Sequence, residues 1–393
     1  MSWAQRRLDQ LGSVSRGRSR HRPRDAAHLY GGAHPFIQTG DVKHAGLYVT
    51  EFTQTYSDAG LEQSKLWPAG TLCITIAANI ADTAILGIDA CFPDSVIGFT
   101  PDPKKSDARF VKYLFDATIK RLAQQFSQGA TQDNLSQEKL LSLEFEVPSV
   151  DEQGRVADIL SAYDDLIENN RRRMTLLEES ARLLYRDWFV RLRFPGYEHT
   201  RLVDEVPSGW ERLPFSELAE FINGYPFAPD ELGTEGLPIV KIPELRDGVS
   251  EKTPRNDGDK IPERYVLRDG DLLFSWSGTL LIEFWYDGAA LLNQHLFRVE
   301  PNGRCSRAFL LFALRQALPE FGNQSVGATM KHIRKSALST VTVRLPSHSL
   351  LTQFDEISMS VFKQIQNLRH QNQKLRAARD LLLPRLMSGE LVV

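Results

Sequence analysis

The stretch DEQGRVADILSAYDDLIENNRRRMTLLEESARLLYRDWFVR, residues 151–191, decides the fold of this chain. It contains no proline, and its only glycine, Gly154, stands near its start. Its apolar residues follow a four-three spacing, which predicts a long helix with one narrow apolar seam, as in a coiled coil. Residues 354–386 show the same spacing. A helix of about 40 residues is roughly 60 Å long, too long to be buried inside one compact domain.

We expect the two helices to pair in antiparallel orientation, with Val156 facing Leu386. The two residue numbers of every facing pair then sum to 542, so Asn170 faces Asn372. Two seam asparagines that face each other satisfy their amides and fix the register at some loss of stability. The alternative is that one or both asparagines face a partner protein. The predicted seam residues are Val156, Leu160, Ile167, Asn170, Met174, Leu177, Leu184, Trp188, Phe354, Val361, Ile365, Leu368, Asn372, Leu375, Leu382 and Leu386.

The rest of the chain follows one plan twice. Each pass contains a Trp-led charged segment, a Pro-led apolar tripeptide, a turn before a strand, a Gly-Ala-Thr and an alternating strand that ends in Pro-Ser. The offset between equivalent motifs drifts from 207 to 198, as differences in loop length would produce. Five matches in one order argue against chance similarity of turn residues. The matched segments are Trp3–Leu8 with Trp210–Leu213, Pro35–Ile37 with Pro238–Val240, Ala69–Leu72 with Asp269–Leu272, Gly129–Thr131 with Gly327–Thr329, and Leu143–Ser149 with Val341–Ser347.

These patterns predict an α+β fold: two pseudo-repeated mixed α/β domains separated by two long antiparallel coiled-coil helices. The pattern in both repeats predicts mainly short strands with turns. The first repeat also has helical spacing at residues 110–126, and the second has it at residues 306–318. The predicted segments are a first variable domain 1–148, a first helical spacer 149–194, a linker 195–206, a second variable domain 207–346 and a second helical spacer 347–393.

Composition excludes several classes of protein. The 393 residues are 42% apolar and 25% charged, as in ordinary globular proteins, which excludes collagen-like and wholly disordered chains. No apolar run is long enough to span a membrane, and the amino end lacks the apolar core of a signal peptide. Cys73, Cys91 and Cys305 have no spacing typical of zinc sites or disulfide frameworks. We therefore expect a cytoplasmic protein with no membrane partner and no metal site.

Positive charge is segregated along the chain, although 47 basic residues face 50 acidic ones overall. Residues 1–24 hold seven arginines against one acidic residue, and residues 363–385 hold six basic residues against one acidic residue. Nucleic-acid binders concentrate positive charge in this way because affinity comes largely from neutralising phosphates. In the paired register, the acidic part of the first helix lies beside the basic end of the second, with Asp164 near Arg376.

Motifs that carry chemistry are missing. The sequence has no GxxxxGK[ST] loop, no GxGxxG after a strand, no GxSxG and no HExxH. It also lacks the Asn/Asp-Pro-Pro-Tyr/Phe motif with which adenine methyltransferases hold their target base. The histidines near the amino end lack regular metal-ligand spacing. We therefore expect no catalytic residue in this chain. The rival interpretation is an enzyme, such as a nuclease, whose active-site carboxylates are scattered in the sequence.

Several strings of the chain resemble one family. They are Pro148–Gln153 (PSVDEQ), Ile159–Ser161 (ILS), Leu183–Val190 (LLYRDWFV), Val206–Leu213 (VPSGWERL) and Leu381–Leu391 (LLLPRLMSGEL). Together with the repeat and the helices, they resemble the specificity (S) subunit of Type I restriction–modification systems. The resemblance covers nearly the whole chain in its order of parts and is strongest in the helices. One departure is Gln353, which follows Thr352 instead of a glutamate.

The resemblance implies a non-catalytic DNA-recognition subunit. Each variable domain would be a target recognition domain that reads one half of a bipartite target in double-stranded DNA, with the helices setting the separation. Two methyltransferase (M) subunits would dock at the helix ends and bind S-adenosylmethionine. Restriction and translocation (R) subunits would use ATP and Mg, so this chain itself would hold no cofactor. The main rival is a coiled-coil adaptor whose repeated domains bind proteins.

Base edges are typically read by Arg, Lys, Asn, Gln, Ser and Thr, whereas phosphates are bound by basic side chains and backbone amides. Candidates lie in a basic loop near the amino end, around each Gly-Ala-Thr, and after one apolar strand of the second domain. The alternative for the loop is a solvated surface, and Trp276 is more typical of a core. The predicted DNA-binding residues are Arg16, Arg18, Arg20, Arg22, Arg24, Gln38, Thr39, Lys43, Thr131, Gln132, Asn134, Ser275, Ser277, Thr329, Lys331 and His332.

Overall fold

A computed structural model describes residues 3–77, 80–126, 136–323 and 332–393 of the chain. The backbone divides into two compact units. Unit 1 comprises Met1–Arg171 together with His370–Val393, and unit 2 comprises Arg172–Arg369. Both unit boundaries fall inside long helices, so each of these helices contributes one part to each unit. No described helix is long and apolar enough to cross a membrane.

Unit 1 combines short strands with helices on a mostly antiparallel sheet. Its strands are β1 (Ala4–Arg7), β2 (Gly12–Arg16), β3 (Tyr30–Phe36), β4 (Tyr48–Val49), β5 (Gln54–Tyr56), β6 (Leu72–Thr75), β7 (Thr83–Leu86), β8 (Val96–Pro101) and β9 (Glu144–Val147). Its helices are α1 (Leu8–Leu11), α2 (Thr39–His44), α3 (Asp58–Glu62), α4 (Ala108–Phe126), α5 (Gln137–Ser142) and the first part of α6 (Val150–Tyr185).

The main sheet of unit 1 has the strand order β2-β8-β6-β7-β4. Strand β6, with the sequence LCIT, is buried along its whole length, as expected for a run of apolar and β-branched residues in a central strand. Strand β9 alternates exposed and buried side chains and pairs with β1. Helix α4 packs its aromatic residues, including Phe110 and Phe115, into one core with the sheet. Val156, Leu160 and Leu386 of the long helices belong to that same core.

Unit 2 contains the remaining elements. Its strands are β10 (Leu202–Val203), β11 (Val206–Pro207), β12 (Glu211–Pro214), β13 (Ala219–Asn223), β14 (Leu237–Val240), β15 (Arg255–Asn256), β16 (Val266–Leu267), β17 (Leu272–Ser275), β18 (Ile282–Phe284), β19 (Ala290–Leu292), β20 (Leu296–Pro301) and β21 (Thr342–Leu345). Its helices are the end of α6, α7 (Ile242–Asp247), α8 (Arg307–Asn323) and the first part of α9 (His348–Met387).

The two units share one topology, which confirms the predicted internal repeat. The order β13-β20-β17-β18 in unit 2 reproduces β2-β8-β6-β7 in unit 1, with every neighbouring pair antiparallel. The pair β12–β21 corresponds to β1–β9. In unit 2, β14 lies antiparallel to β15 and parallel to β19; in unit 1, β3 lies antiparallel to β5 and Phe36 forms a parallel bridge with Cys91. Helix α4 contains the first predicted helical segment, and α8 contains all of the second except residue 306.

In unit 1 the long helices are antiparallel and in the predicted register. The Asn170 side-chain amide donates to Asn372 Oδ1 at 2.9 Å, and the Asn372 amide donates to the backbone oxygen of Ile167 at 3.2 Å. Both asparagines are buried. The predicted pairing is therefore confirmed, and the alternative, in which an asparagine faces a partner protein, is wrong. A buried amide pair satisfied in one register disfavours any shift of the helices.

In unit 2 the same register holds. The rings of Trp188 and Phe354 lie 6.4 Å apart, and Leu177 and Ile365 belong to one core cluster. None of the predicted seam residues is exposed. Helix α6 is shorter than predicted, because its α-helical part ends at Tyr185. One π-helical turn, Arg186–Val190, follows it.

Asp164 lies near Arg376, as the paired register predicts, since both residues line one cavity. Asp164 also forms an ion pair with Arg379. The Asp164 carboxylate also accepts a hydrogen bond of 2.6 Å from the Tyr113 hydroxyl of α4. Burial and then the negative charge of Asp164 raise the pKa of Tyr113. Asp164 and both arginines line a cavity of about 210 Å³ in unit 1.

A disulfide test checks the register. In a chain carrying Asn170→Cys, Asn372→Cys and Cys305→Ser, mild oxidation is expected to join the two helices, because these side chains face each other within bonding contact. Mass spectrometry of a proteolytic digest should find the two peptides linked. In the control, Asn169→Cys replaces Asn170→Cys, since Asn169 is exposed. A linkage in the control but not in the test chain would contradict the register.

Candidate nucleic-acid interface

In unit 2, several strands end at the same place and the residues that follow them converge. Lys241 follows β14, Asn293–His295 connect β19 to β20, and Trp276 follows β17. The Trp276 indole N–H donates to the Asn223 side-chain oxygen at the end of β13 and to the backbone oxygen of Gln294, both at 3.0 Å. We call this set the strand-end cluster of unit 2.

His332 completes this cluster. Its backbone pairs with Ser277 in an antiparallel bridge, and its ring lies 6.4 Å from that of Trp276 in an edge-to-face arrangement. His295 contacts Ser277 Oγ through Nδ1 at 3.1 Å. Both histidines and Trp276 are partly exposed. The cluster thus presents an indole, two imidazoles and amide groups, all able to contact a nucleic acid.

Unit 1 has an equivalent cluster in which basic residues dominate. Arg16 ends β2, as Asn223 ends β13, and its Nε donates to the backbone oxygen of Asp94 at 2.9 Å. Arg24 forms an ion pair of 2.8 Å with the Asp94 carboxylate. We define Arg16, Arg18, Gln38 and the Phe92–Ser95 loop as the strand-end cluster of unit 1.

The predicted basic loop leaves this cluster and keeps its arginines on the surface. The Gln63 side-chain oxygen accepts hydrogen bonds from the backbone amides of Arg20 and His21, which shapes the loop. Arg22 folds back onto the backbone oxygens of Ser19 and His21. The guanidinium groups of Arg18 and Arg20 are exposed and form no hydrogen bond or ion pair with any other described residue. These two side chains are free to bind phosphates.

Lys65 adds a further positive charge beside the loop. Its ammonium lies 3.4 Å from the centroid of the Trp67 ring and 3.4 Å from Ser15 Oγ. Burial and then the charge of Arg18 lower the pKa of Lys65.

Unit 2 has aromatic side chains where unit 1 has basic ones. The backbone amide of Tyr225 donates to the Leu292 oxygen at the end of β19, and that of Arg18 donates to the Phe92 oxygen in unit 1. Tyr225 packs against Phe227 and Tyr265, with ring centroids 4.9 and 5.6 Å away. Tyr265 lies two residues before Leu267, which pairs antiparallel with Ala290. In unit 1, Lys65 likewise lies two residues before Trp67, which pairs antiparallel with Ala90. The two clusters therefore differ in chemistry while they agree in position.

Three predicted residues belong to helix α2 or its start. Gln38 precedes the helix, is partly buried, and donates from its amide to Gln54 Oε1 at 2.6 Å. Thr39 is the first residue of the helix and is also partly buried. Lys43 is exposed and lies on the rim of the charged cavity beside the long helices. Only Gln38 thus lies in the strand-end cluster as defined.

Ser275 and Ser277, two of the predicted DNA-binding residues, are buried in this structure. Ser275 is fully buried; its hydroxyl donates to the Thr279 backbone oxygen at 2.5 Å and accepts from the Leu281 amide at 2.8 Å. These bonds close the turn between β17 and β18. Ser277 is also buried, and its hydroxyl is occupied by His295. The intervening Trp276 is partly exposed, although its ring also packs against Phe297.

Five predicted residues near the two Gly-Ala-Thr segments lie outside the described residues: Thr131, Gln132, Asn134, Thr329 and Lys331. His332 is the described member of that group. Conversely, Asn223 and Lys241 are cluster residues that sequence reasoning did not select. The repeat was the signal that could have found Lys241, because it follows Pro238–Val240 as Gln38 follows Pro35–Ile37.

In the described parts of the chain, no three His, Cys, Asp or Glu side chains are grouped closely enough to hold a metal ion. Cys73 and Cys91 are buried, and burial raises the pKa of both thiols. Reactive cysteines instead have a lowered pKa.

Comparisons with known proteins agree on one family. The family described as "Type I restriction modification DNA specificity domain" matches residues 2–179 and 207–375. The Type I restriction enzyme MjaIX specificity subunit of Methanocaldococcus jannaschii is 25% identical over 416 aligned positions, which cover 100% of this chain and 94% of that protein. The HindI specificity subunit of Haemophilus influenzae is 21% identical over 333 positions, covering 67% and 72%.

Among solved structures, the S subunit of a Type I restriction–modification system from M. genitalium has the same fold. Its TM-score is 0.56 at 16% identity, with 98% of this chain and 96% of that chain covered. The family match spans both repeated modules and most of both long helices. The chain therefore belongs to the family of Type I restriction–modification specificity subunits, whose members recognise DNA and are not themselves catalytic.

Proposed function

We propose that the chain reads a bipartite DNA target through its two strand-end clusters, one half-site for each repeated module. The observation that carries this proposal is the repetition itself: the same strand ends converge in both units, and both present side chains suited to nucleic acid. A coiled-coil adaptor that binds proteins would not need exposed arginines such as Arg18 and Arg20, which have no ion-pair partner among the described residues, in or beside one of these clusters.

The helix pair would determine the distance between the half-sites. Helices α6 and α9 have 36 and 40 residues, which corresponds to roughly 54–60 Å at 1.5 Å per residue. The Asn170–Asn372 pair opposes sliding of one helix along the other. A fixed separation makes the spacer specific, because one added base pair also rotates the second half-site about the duplex axis.

The chemistry would be supplied by partner subunits. Two M subunits would bind S-adenosylmethionine and methylate adenines, and R subunits would use ATP and Mg for translocation and cleavage. In this arrangement the chain contributes the choice of DNA site. The relatives named above, which are specificity subunits of restriction enzymes, support this division of labour.

Selection from random DNA tests the proposal. The purified chain, alone and co-purified with the M subunit encoded beside it, is incubated with duplexes that carry a randomised 30-base-pair window, and the bound DNA is sequenced. Two short motifs with one fixed spacing are expected. A single continuous motif, or no enrichment with either preparation, would contradict the proposal. Cleavage of duplex DNA by the chain alone with Mg would instead indicate an active site in this chain.

The basic loop provides a prediction about salt. Changing Arg18 and Arg20 to Ala should weaken binding to all sequences alike, because in this proposal both guanidinium groups contact phosphates. The slope of log affinity against log salt should fall in magnitude by about 2. Fluorescence anisotropy at a series of salt concentrations from about 50 to 300 mM measures this slope. The control carries Arg173→Ala and Arg182→Ala, two exposed arginines of α6; an equal change in this control would remove the loop from the interface.

A further inference from the structure

One equivalent position carries different chemistry in the two modules. Gln38 follows β3 and Lys241 follows β14, each directly before a short helix. The backbone amide of Gln38 donates to the Asp41 carboxylate at 2.7 Å, and that of Lys241 donates to the Glu244 carboxylate at 3.1 Å. This shared bond holds the two residues in one backbone conformation, so their side chains start from equivalent points.

Both residues flank the strand-end cluster of their unit. In unit 1, the amide of Ile37, next to Gln38, donates to Cys91 at 2.8 Å, just before the loop that binds Arg16. In unit 2, the backbone oxygen of Val240, next to Lys241, accepts from the Asn293 amide at 3.2 Å. The turn after Trp276 lies close to Ile242, the residue that follows Lys241. A methyl group added to Gly278 in that turn would lie 3.8 Å from the Ile242 side chain.

The side chains of Lys241 and Gln38 keep hydrogen-bonding groups available for a ligand. The Lys241 ammonium is partly exposed and forms no ion pair with any other described residue, although Glu244 is close in sequence. The Glu244 carboxylate is buried and is already used by the Lys241 amide and by Thr253 Oγ1. Gln38 uses one amide hydrogen for Gln54, and its own oxygen accepts no hydrogen bond from another described residue.

We propose that Gln38 and Lys241 are equivalent base-reading residues, with Gln38 selecting adenine in one half-site and Lys241 selecting guanine in the other. This proposal rests on the function proposed above. A glutamine amide matches the N6 donor and N7 acceptor of adenine, and an ammonium matches the O6 and N7 acceptors of guanine in the major groove. A single position would then give the two modules different targets without any change of backbone.

The test is the random-duplex selection, repeated with Lys241→Ala and Gln38→Ala full-length chains. Each variant is expected to lose preference at one base-pair position of one half-site, a G·C pair for Lys241→Ala and an A·T pair for Gln38→Ala. In competition binding, discrimination at that position should fall by about 5- to 100-fold. The opposite half-site and the spacing should stay as in the unchanged chain. Lys260→Ala, at an exposed lysine of unit 2, is the matched control.

Reciprocal variants sharpen the outcome. Gln38→Lys should shift the affected position of its half-site toward guanine, and circular dichroism establishes that each variant is folded. If a variant does not fold, Lys241→Arg and Gln38→Asn replace it, with preference retained for the first and weakened for the second. A folded alanine variant that binds every sequence more weakly with unchanged preference would overturn the proposal in favour of phosphate contact. Absence of any split motif with the unchanged chain would instead refute the proposed function.

Discussion

Changing Asp164 to Ala is expected to lower the free energy of unfolding of unit 1 by about 3–5 kcal/mol, the usual loss when one partner of a buried ion pair is removed. Asp164 is only 8% exposed and receives both the Arg379 guanidinium and the Tyr113 hydroxyl. Without it, a buried hydroxyl loses its acceptor and a partly buried guanidinium keeps only the exposed Asp380. Burial alone would lower the pKa of Arg379, but Asp164 and Asp380 raise it, so its charge persists.

Hydrogen exchange is the suitable measurement, because it reports the opening free energy of each unit separately. Backbone amides of α4 and of the α6 and α9 segments in unit 1 should exchange faster in the Asp164→Ala chain. Asp164→Asn, which can still accept from Tyr113, should cause a smaller loss. The exposed neighbour Asp165 is the control, and Asp165→Ala should leave exchange unchanged. Equal effects of the two alanine variants would show that the buried network contributes little.

Changing Phe354 to Ala is expected to destabilise unit 2 by about 3–5 kcal/mol, as typical for a large aromatic residue removed from a packed core. The Phe354 side chain is fully buried. Its ring lies 5.1 Å from Phe189 and 6.4 Å from both Trp188 and Phe312. The change would leave a cavity where α6, α8 and α9 meet, and rigid helices cannot collapse to fill it.

The matched control for Phe354 lies on the same helix. Met359 is 65% exposed, so Met359→Ala removes a large apolar side chain without opening a cavity. Amides of α8 and of the α9 segment in unit 2 should exchange faster in the Phe354→Ala chain and at the original rate in the Met359→Ala chain. Unchanged exchange in both chains would contradict the assignment of Phe354 to the core.

These two sites explain why the long helices are more than a spacer. Their ends are part of the module cores: Val156 and Leu386 belong to the core of unit 1, and Tyr185 and Phe354 to that of unit 2. A helix that shares a core with a recognition module holds that module in a defined orientation, since packed interiors resist deformation. The spacing function proposed here depends on such attachment.

The candidate site was only partly predictable. The basic loop was found because charge segregation is visible in sequence, and its arginines do lie on the surface. Ser275 was selected because it ends an apolar strand, but its hydroxyl is buried in the turn that follows. The sequence does not tell whether such a hydroxyl points to solvent or bonds within the turn. The register placed Asp164 near Arg376, as the structure has it, but it did not reveal the ion pair that Asp164 forms with Arg379.

The sequence by itself determined the repeat and the two long helices, because a seam spacing near 3.5 residues is periodic and local. It offered one register in which Asn170 meets Asn372, and the structure confirmed that register. Tertiary structure alone decided which residues surround the strand ends, because Arg16 and Asp94, or Asn223 and Trp276, become neighbours only through sheet pairing between distant segments. Contacts between distant segments carry no periodic signal in one sequence, so the interface emerged only when the sheets were assembled.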